Sequence, residues 1–153
     1  MNLKTLMKKI MLLLMFTLPA KAVVINPQLI DGFAYIESNF NDKAIGKAGE
    51  KGAWQFGKAA WADCNAERIK MGKPVYHWSK AHDRGIASDY AHLYLCLIHG
   101  RLWKALDREP SVGELYAAYN CGVNGFANRF EGKISKCPVT TQKAISKLIK
   151  YLK

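Results

Sequence analysis

From Asp31 to Gln55 the chain reads DGFAYIESNFNDKAIGKAGEKGAWQ, and this stretch constrains the fold more than any other. An apolar helical segment runs into a carboxylate, Glu37, and then into a loop with glycines at 46, 49 and 52. Glycines so closely spaced break both regular periods, so Asn39 to Gly52 is expected to be a loop or a small hairpin. The helix before it is well marked. Asn26 supplies a cap and Pro27 a first-turn residue, after which Leu29, Ile30, Phe33, Ala34 and Ile36 recur at helical spacing to near Ser38.

The helical period returns several times. Trp54 to about Met71 places Phe56, Ala60 and Cys64 on one stripe, and Gly72-Lys73-Pro74 closes it. Val75 to His82 is aromatic and irregular, and is expected to connect. Asp83 caps a helix in which Ile86, Ala87, Tyr90, Leu93, Tyr94, Leu97 and Ile98 keep the 3.6-residue period, the expected central helix of the core. Ser111 and Glu114 form a capping box before Leu115, Ala118 and Tyr119, and Asn120-Cys121-Gly122 breaks that helix. Asn124 to Phe130 adds a short helical turn. From Thr140 to Lys153, Ile145, Leu148, Ile149 and Leu152 oppose Lys143, Lys147, Lys150 and Lys153. A terminal helix docked on the domain is expected there, with a membrane-surface helix as the alternative. No repeat or linker interrupts the pattern, so the chain reads as one mainly helical domain of ordinary size.

Residues 1–22 stand apart. Lys4, Lys8 and Lys9 precede the apolar run Ile10 to Leu18, and Ala20-Lys21-Ala22 offers small residues at a cleavage site, the pattern of a secretory signal. The run falls well short of the roughly 20 apolar residues of a spanning helix, so no stable membrane span is expected after cleavage. The mature domain is then 23–153, periplasmic or secreted. Loss of four lysines takes the formal charge from +11 to +7, still clearly basic. That charge suits an anionic polymer outside the cytoplasm, and export argues against nucleic acid. Cys64, Cys96, Cys121 and Cys137 all follow the cleavage site, and two disulfides are expected, with Cys64–Cys96 and Cys121–Cys137 the preferred of three pairings. Zinc is disfavoured, since there is no CxxC and His77, His82, His92 and His99 show no ligand spacing. No metal or cofactor is expected.

Glu37 follows Phe33 by four residues and precedes Phe40 by three, so it shares the apolar face of its helix. Partial burial and the negative end of the helix dipole both disfavour its charged form and raise its pKa, as a general acid near neutral pH requires. A surface glutamate at a frayed helix end is the bland alternative.

The residues Glu37, Ser38, Phe40, Asn41, Ala44, Gly49, Gly52 and Gln55 resemble the signature of the soluble, lysozyme-like lytic transglycosylases. Ala117-Ala118-Tyr119-Asn120-Cys121-Gly122 is similar to that family's second motif, and Tyr94-Leu95 to its inward pair on the central helix. The resemblance spans most of the mature chain. It implies an α+β, mainly α-helical, lysozyme-like single domain with a small loop or hairpin subdomain beside the cleft. It also implies cleavage of peptidoglycan between N-acetylmuramic acid and N-acetylglucosamine. Glu37 would be the catalytic residue, as general acid and then base, with Ser38, Gln55, Tyr119 and Asn120 binding substrate. Tyr119 would also be placed to hold Glu37 by a hydrogen bond.

Departures from the family pattern keep alternatives open. Gly46 stands where serine is common, Ala53-Trp54 replaces Leu-Met, Gly57 replaces Met and Cys121 replaces Ala. Trp54 fits either a sugar-stacking or a core role. Glu50, where the family has alanine, would offer a second carboxylate and a hydrolytic muramidase, and Asp42 is a weaker candidate for the same part. A non-catalytic peptidoglycan-binding module is the rival outside enzymology. The expected partners are glycan strands and, for small exported enzymes of this kind, a secretion or conjugation apparatus. A monomer is expected.

Overall fold

Local chemistry sets where the helices start. In the computed structural model of the chain, which describes residues 22–153, Asn26 caps helix α1 (Pro27–Ser38) by accepting from the Leu29 N–H at 2.8 Å. The export segment read at Met1–Ala22 falls, but for Ala22, outside the described residues. Helix α2 (Lys58–Lys70) is followed by a 3-10 turn (Trp78–His82), and Asp83 caps helix α3 (Arg84–Leu106) by accepting from Ile86 N. The Ser111–Glu114 capping box opens helix α4 (Val112–Cys121) with both reciprocal bonds formed. A π turn (Gly125–Arg129) and a second 3-10 turn (Ile134–Lys136) lead to helix α5 (Val139–Tyr151).

The helices close around one apolar core. Phe33 of α1, Trp61 of α2, Leu95, Ile98 and Leu102 of α3, Leu115 of α4 and Leu148 of α5 are all essentially inaccessible. Helix α5 is docked, as expected: Ile145 and Leu148 are buried, Tyr151 stacks on Tyr35 of α1 at 5.0 Å, and the lysines face out. Among the described residues no helix is long and apolar enough to cross a membrane.

Two expectations change. Helix α2 starts at Lys58 instead of Trp54, because Phe56 is held in a bridge by Lys51 and Gln55 adopts a left-handed φ of 49°. The expected hairpin shrinks to two isolated antiparallel bridges, Ile45 with Lys51 and Lys51 with Phe56. Left-handed turns at Gly49 and Gly52 leave too little extended chain between them for a ladder.

The expected disulfides are not formed: all four cysteines are free. Cys64 is buried between α2 and α3, where its Sγ meets the Tyr90 carbonyl at 3.6 Å, and burial pushes the thiol up to about 12. Cys96 lies on the exposed side of α3, so this pair faces apart. Cys121 and Cys137 lie near each other, and Cys121 adds to the rise that burial imposes on the Cys137 thiol.

The glycine loop is fixed on the core at one tight approach. Gly52 has a φ of +77°, and a Cβ there would lie 1.8 Å from the backbone oxygen of Ala81 in the first 3-10 turn. Neither the sign of φ nor the gap admits a side chain. Gly52→Ala is expected to cost about 3 kcal/mol and to lower the melting temperature by roughly 10 °C, measured by thermal unfolding.

Candidate active site

Phe33 and Glu37 lie one turn apart on the same face of α1, and α4 lies against that face. Phe33 packs between Tyr116 and Tyr119, with ring centroids at 5.3 and 5.0 Å. This packing brings the Tyr116 hydroxyl to Glu37, where it donates to Oε1 at 2.7 Å. Burial is the main cause that raises the Glu37 pKa above its ordinary value; the Tyr116 bond opposes the rise, and the charge of Glu50 adds to it. Tyr116 itself is pushed far up by burial and then by the Glu37 charge, so it stays a proton donor to the carboxyl group.

An open cleft of about 760 Å³ runs over this carboxyl group, lined by Glu37, Gly46, Glu50, Gln55, Tyr94, Tyr119 and Asn120 among others. The loop supplies one wall, α3 and α4 the other. Gly46 leaves room for its opposite neighbours: a Cβ there would meet Glu50 Oε2 at 2.2 Å and Gln55 Oε1 at 2.6 Å. Two acceptors thus converge above one glycine. Glu50 Oε2 also accepts from the Ala48 N–H at 3.0 Å, and the Gln55 amide donates to the Gly52 carbonyl at 2.9 Å. Both side chains are thereby oriented in the cleft.

The residues expected to bind substrate divide into two groups. Gln55, Tyr119 and Asn120 line the cleft with Glu37. Ser38 turns the other way: its hydroxyl donates to the Ala53 carbonyl at 2.8 Å and accepts from Asn41 N at 2.9 Å, so it pins the loop to the end of α1. The Tyr119 hydroxyl donates to the Trp54 carbonyl at 2.5 Å, not to Glu37; the tyrosine that holds Glu37 is Tyr116, one turn earlier on α4. Asn120 accepts from the buried Thr141 hydroxyl at 2.7 Å, which ties the cleft wall to α5. Trp54 is a core residue, 1% exposed with its indole N–H on the Ile30 carbonyl, so it does not reach a sugar.

The two extra carboxylates also separate. Asp42 is paired with Arg84 at 2.8 Å and is not part of the cleft lining, whereas Glu50 shares the cleft with Glu37. Tyr116 was missed by motif reading, although Tyr116, Tyr119 and Asn120 stand at i, i+3 and i+4 and so share a face.

A half-buried carboxyl group with a raised pKa, held by one tyrosine beside an open groove in a mainly helical domain, is the equipment of a lysozyme-like domain that acts on glycosidic bonds. The family described as Transglycosylase SLT domain matches residues 15–136, most of the chain, and the chain belongs to that family. Such domains are lytic transglycosylases of peptidoglycan, a polymer found outside the cytoplasmic membrane. No curated protein matches the chain.

The opposed influences on Glu37 give two opposite shifts. With Glu37 as general acid, activity would need the protonated form and would fall as pH rises through its folded pKa. Tyr116→Phe removes the bond that lowers this value and is expected to move the alkaline limb of the pH–rate profile to higher pH, with kcat reduced about tenfold by lost orientation. Glu50→Gln removes a raising charge and is expected to move the same limb to lower pH. Profiles of peptidoglycan solubilisation by the two variants check both signs.

Proposed function

We propose that the chain is an exported lytic transglycosylase in which Glu37 performs both proton transfers. The protonated carboxyl group gives its proton to the oxygen that bridges N-acetylmuramic acid and N-acetylglucosamine, and that bond breaks. The resulting carboxylate takes the proton of the muramic acid C6 hydroxyl as this oxygen closes on C1, forming a 1,6-anhydro ring. Glu37 ends as it began, and no water is consumed. The observation that carries this reading is one half-buried carboxyl group, held by Tyr116 in the cleft of a chain of this family.

Within this reading Gln55, Tyr119 and Asn120 contact the glycan, and Ser38 acts through the loop it pins. The leader of residues 1–22 takes the domain to the periplasm or outside the cell, and residues 23–153 act there as a monomer. In an oxidising compartment the neighbouring Cys121 and Cys137 close to a disulfide. The enzyme opens a local hole in the wall, either for a secretion or conjugation machine or in general turnover.

The second reading is hydrolysis, favoured by the presence of Glu50 in the same cleft. A muramidase would use that carboxylate to activate water and would leave reducing ends. Mass spectrometry of muropeptides from digested sacculi separates the two: anhydro ends are expected, and reducing ends move the assignment to hydrolysis. Sacculus binding without solubilisation would mark a non-catalytic module. Glu37→Gln is expected to lower turnover about a thousandfold. Its melting temperature should not fall, because glutamine keeps an acceptor for Tyr116 and removes a buried charge. Undiminished turnover in that variant would sink the site assignment.

A further inference from the structure

Val23 stands three residues before the Asn26 cap of α1, and its backbone nitrogen donates to Glu109 Oε1 at 2.9 Å. Glu109 lies in the short connection between α3 and α4, two residues before the Ser111 cap. The same oxygen meets Nε2 of His99, from α3, at 2.8 Å. The remaining charged neighbours are Arg108, whose guanidinium pairs with Glu114 and donates to the Glu109 carbonyl, and Glu114 itself. His99 first, and the Val23 N–H second, hold the Glu109 carboxyl below its usual range. Val23 and Ile25 pack against the core, so the donating nitrogen is held in place, while Ala22 is exposed.

In the uncut chain this nitrogen is a neutral amide. It is also the nitrogen that cleavage after Ala20-Lys21-Ala22 would set free. Hydrolysis of the Ala22–Val23 bond by a leader-removing peptidase adds one water, leaves a carboxylate on Ala22 and an amine on Val23, and the amine takes up a proton at neutral pH. A neutral donor on Glu109 then becomes a charged one, and charge-assisted bonds are roughly twice as strong as neutral ones.

We propose that Glu109, with His99, is a docking site for the α-ammonium group of Val23, completed only when the leader is removed. The pair ties the start of α1 to the start of α4. Those two helices carry Glu37 and Tyr116, so processing braces the frame on which the acid and its donor are mounted.

Mass measurement of the exported protein should give a chain that begins at Val23. That chain is then compared with one preceded by Ala20 to Ala22 carrying Lys21→Ala, which moves the ammonium away without adding charge. The Val23 form is expected to melt about 2 °C higher at pH 7, as suits a partly exposed ion pair. Glu109→Gln should erase the difference. An ammonium paired with Glu109 would have a raised folded pKa, so its contribution would be present below about pH 8 and lost as pH rises through the folded value; that of Glu109, whose pKa is lowered, is lost at acid pH. The gap should therefore close above about pH 10 and again at low pH. Titration of the Val23 amine by NMR reads the same pair even where Glu109→Gln weakens both forms, and a value above about 8 is expected. A released chain that starts elsewhere, equal melting of the two forms, or an amine that titrates at or below about 8 overturns the proposal.

Discussion

The wedge of Phe33 between Tyr116 and Tyr119 is the contact on which the rest of this site depends. A fully buried phenylalanine contributes on the order of 2–3 kcal/mol, and the hydrogen bond from Tyr116 to Glu37 about 1 kcal/mol. Packing therefore decides the geometry and the hydrogen bond follows from it. Because Phe33 and Glu37 are one helical turn apart, seating the ring against α4 also sets the height of the carboxyl group over the cleft. Tyr119, on the other flank of Phe33, spends its hydroxyl on the Trp54 carbonyl and so fixes where the loop returns to the core.

The same frame explains the electrostatics. A carboxyl group mounted on an apolar helix face is partly desolvated by the packing that positions it, so position and raised pKa have one cause. Tyr116 and Glu50 then act on the charge with opposite signs. The glycines have separate parts in this: Gly52 lets the loop meet the Ala81 carbonyl, and Gly46 gives Glu50 and Gln55 a place over the cleft floor. Raising the acid's pKa by burial costs stability at neutral pH, because the folded state disfavours the charge that the unfolded chain would carry freely.

Much of the fold could be read directly from the residues. Asn26, Asp83 and the Ser111–Glu114 box cap the helices they were expected to cap, since a cap depends only on groups three or four residues away. The amphipathic tail docked as its stripe required. Errors fell where a contact outside the helical pattern decided the outcome. Trp54 and Phe56 fit a helical stripe, yet the bridge between Lys51 and Phe56 delays α2 to Lys58. Cys64 and Cys96 sit on helices that touch, but their side chains point to opposite sides of α3.

Sequence by itself determined the helical frame, the place of a carboxylate at the end of α1 and the family, because periodicity, capping and motif order are properties of neighbours along the chain. Tertiary structure alone decided that Tyr116 and not Tyr119 holds Glu37, that Ser38 faces the loop backbone, that Asp42 is absorbed by Arg84 and that Glu50 remains in the cleft. Each of those outcomes depends on which way a side chain turns between two packed elements. No spacing rule along one element contains that information, since the partner lies 15 to 79 residues away.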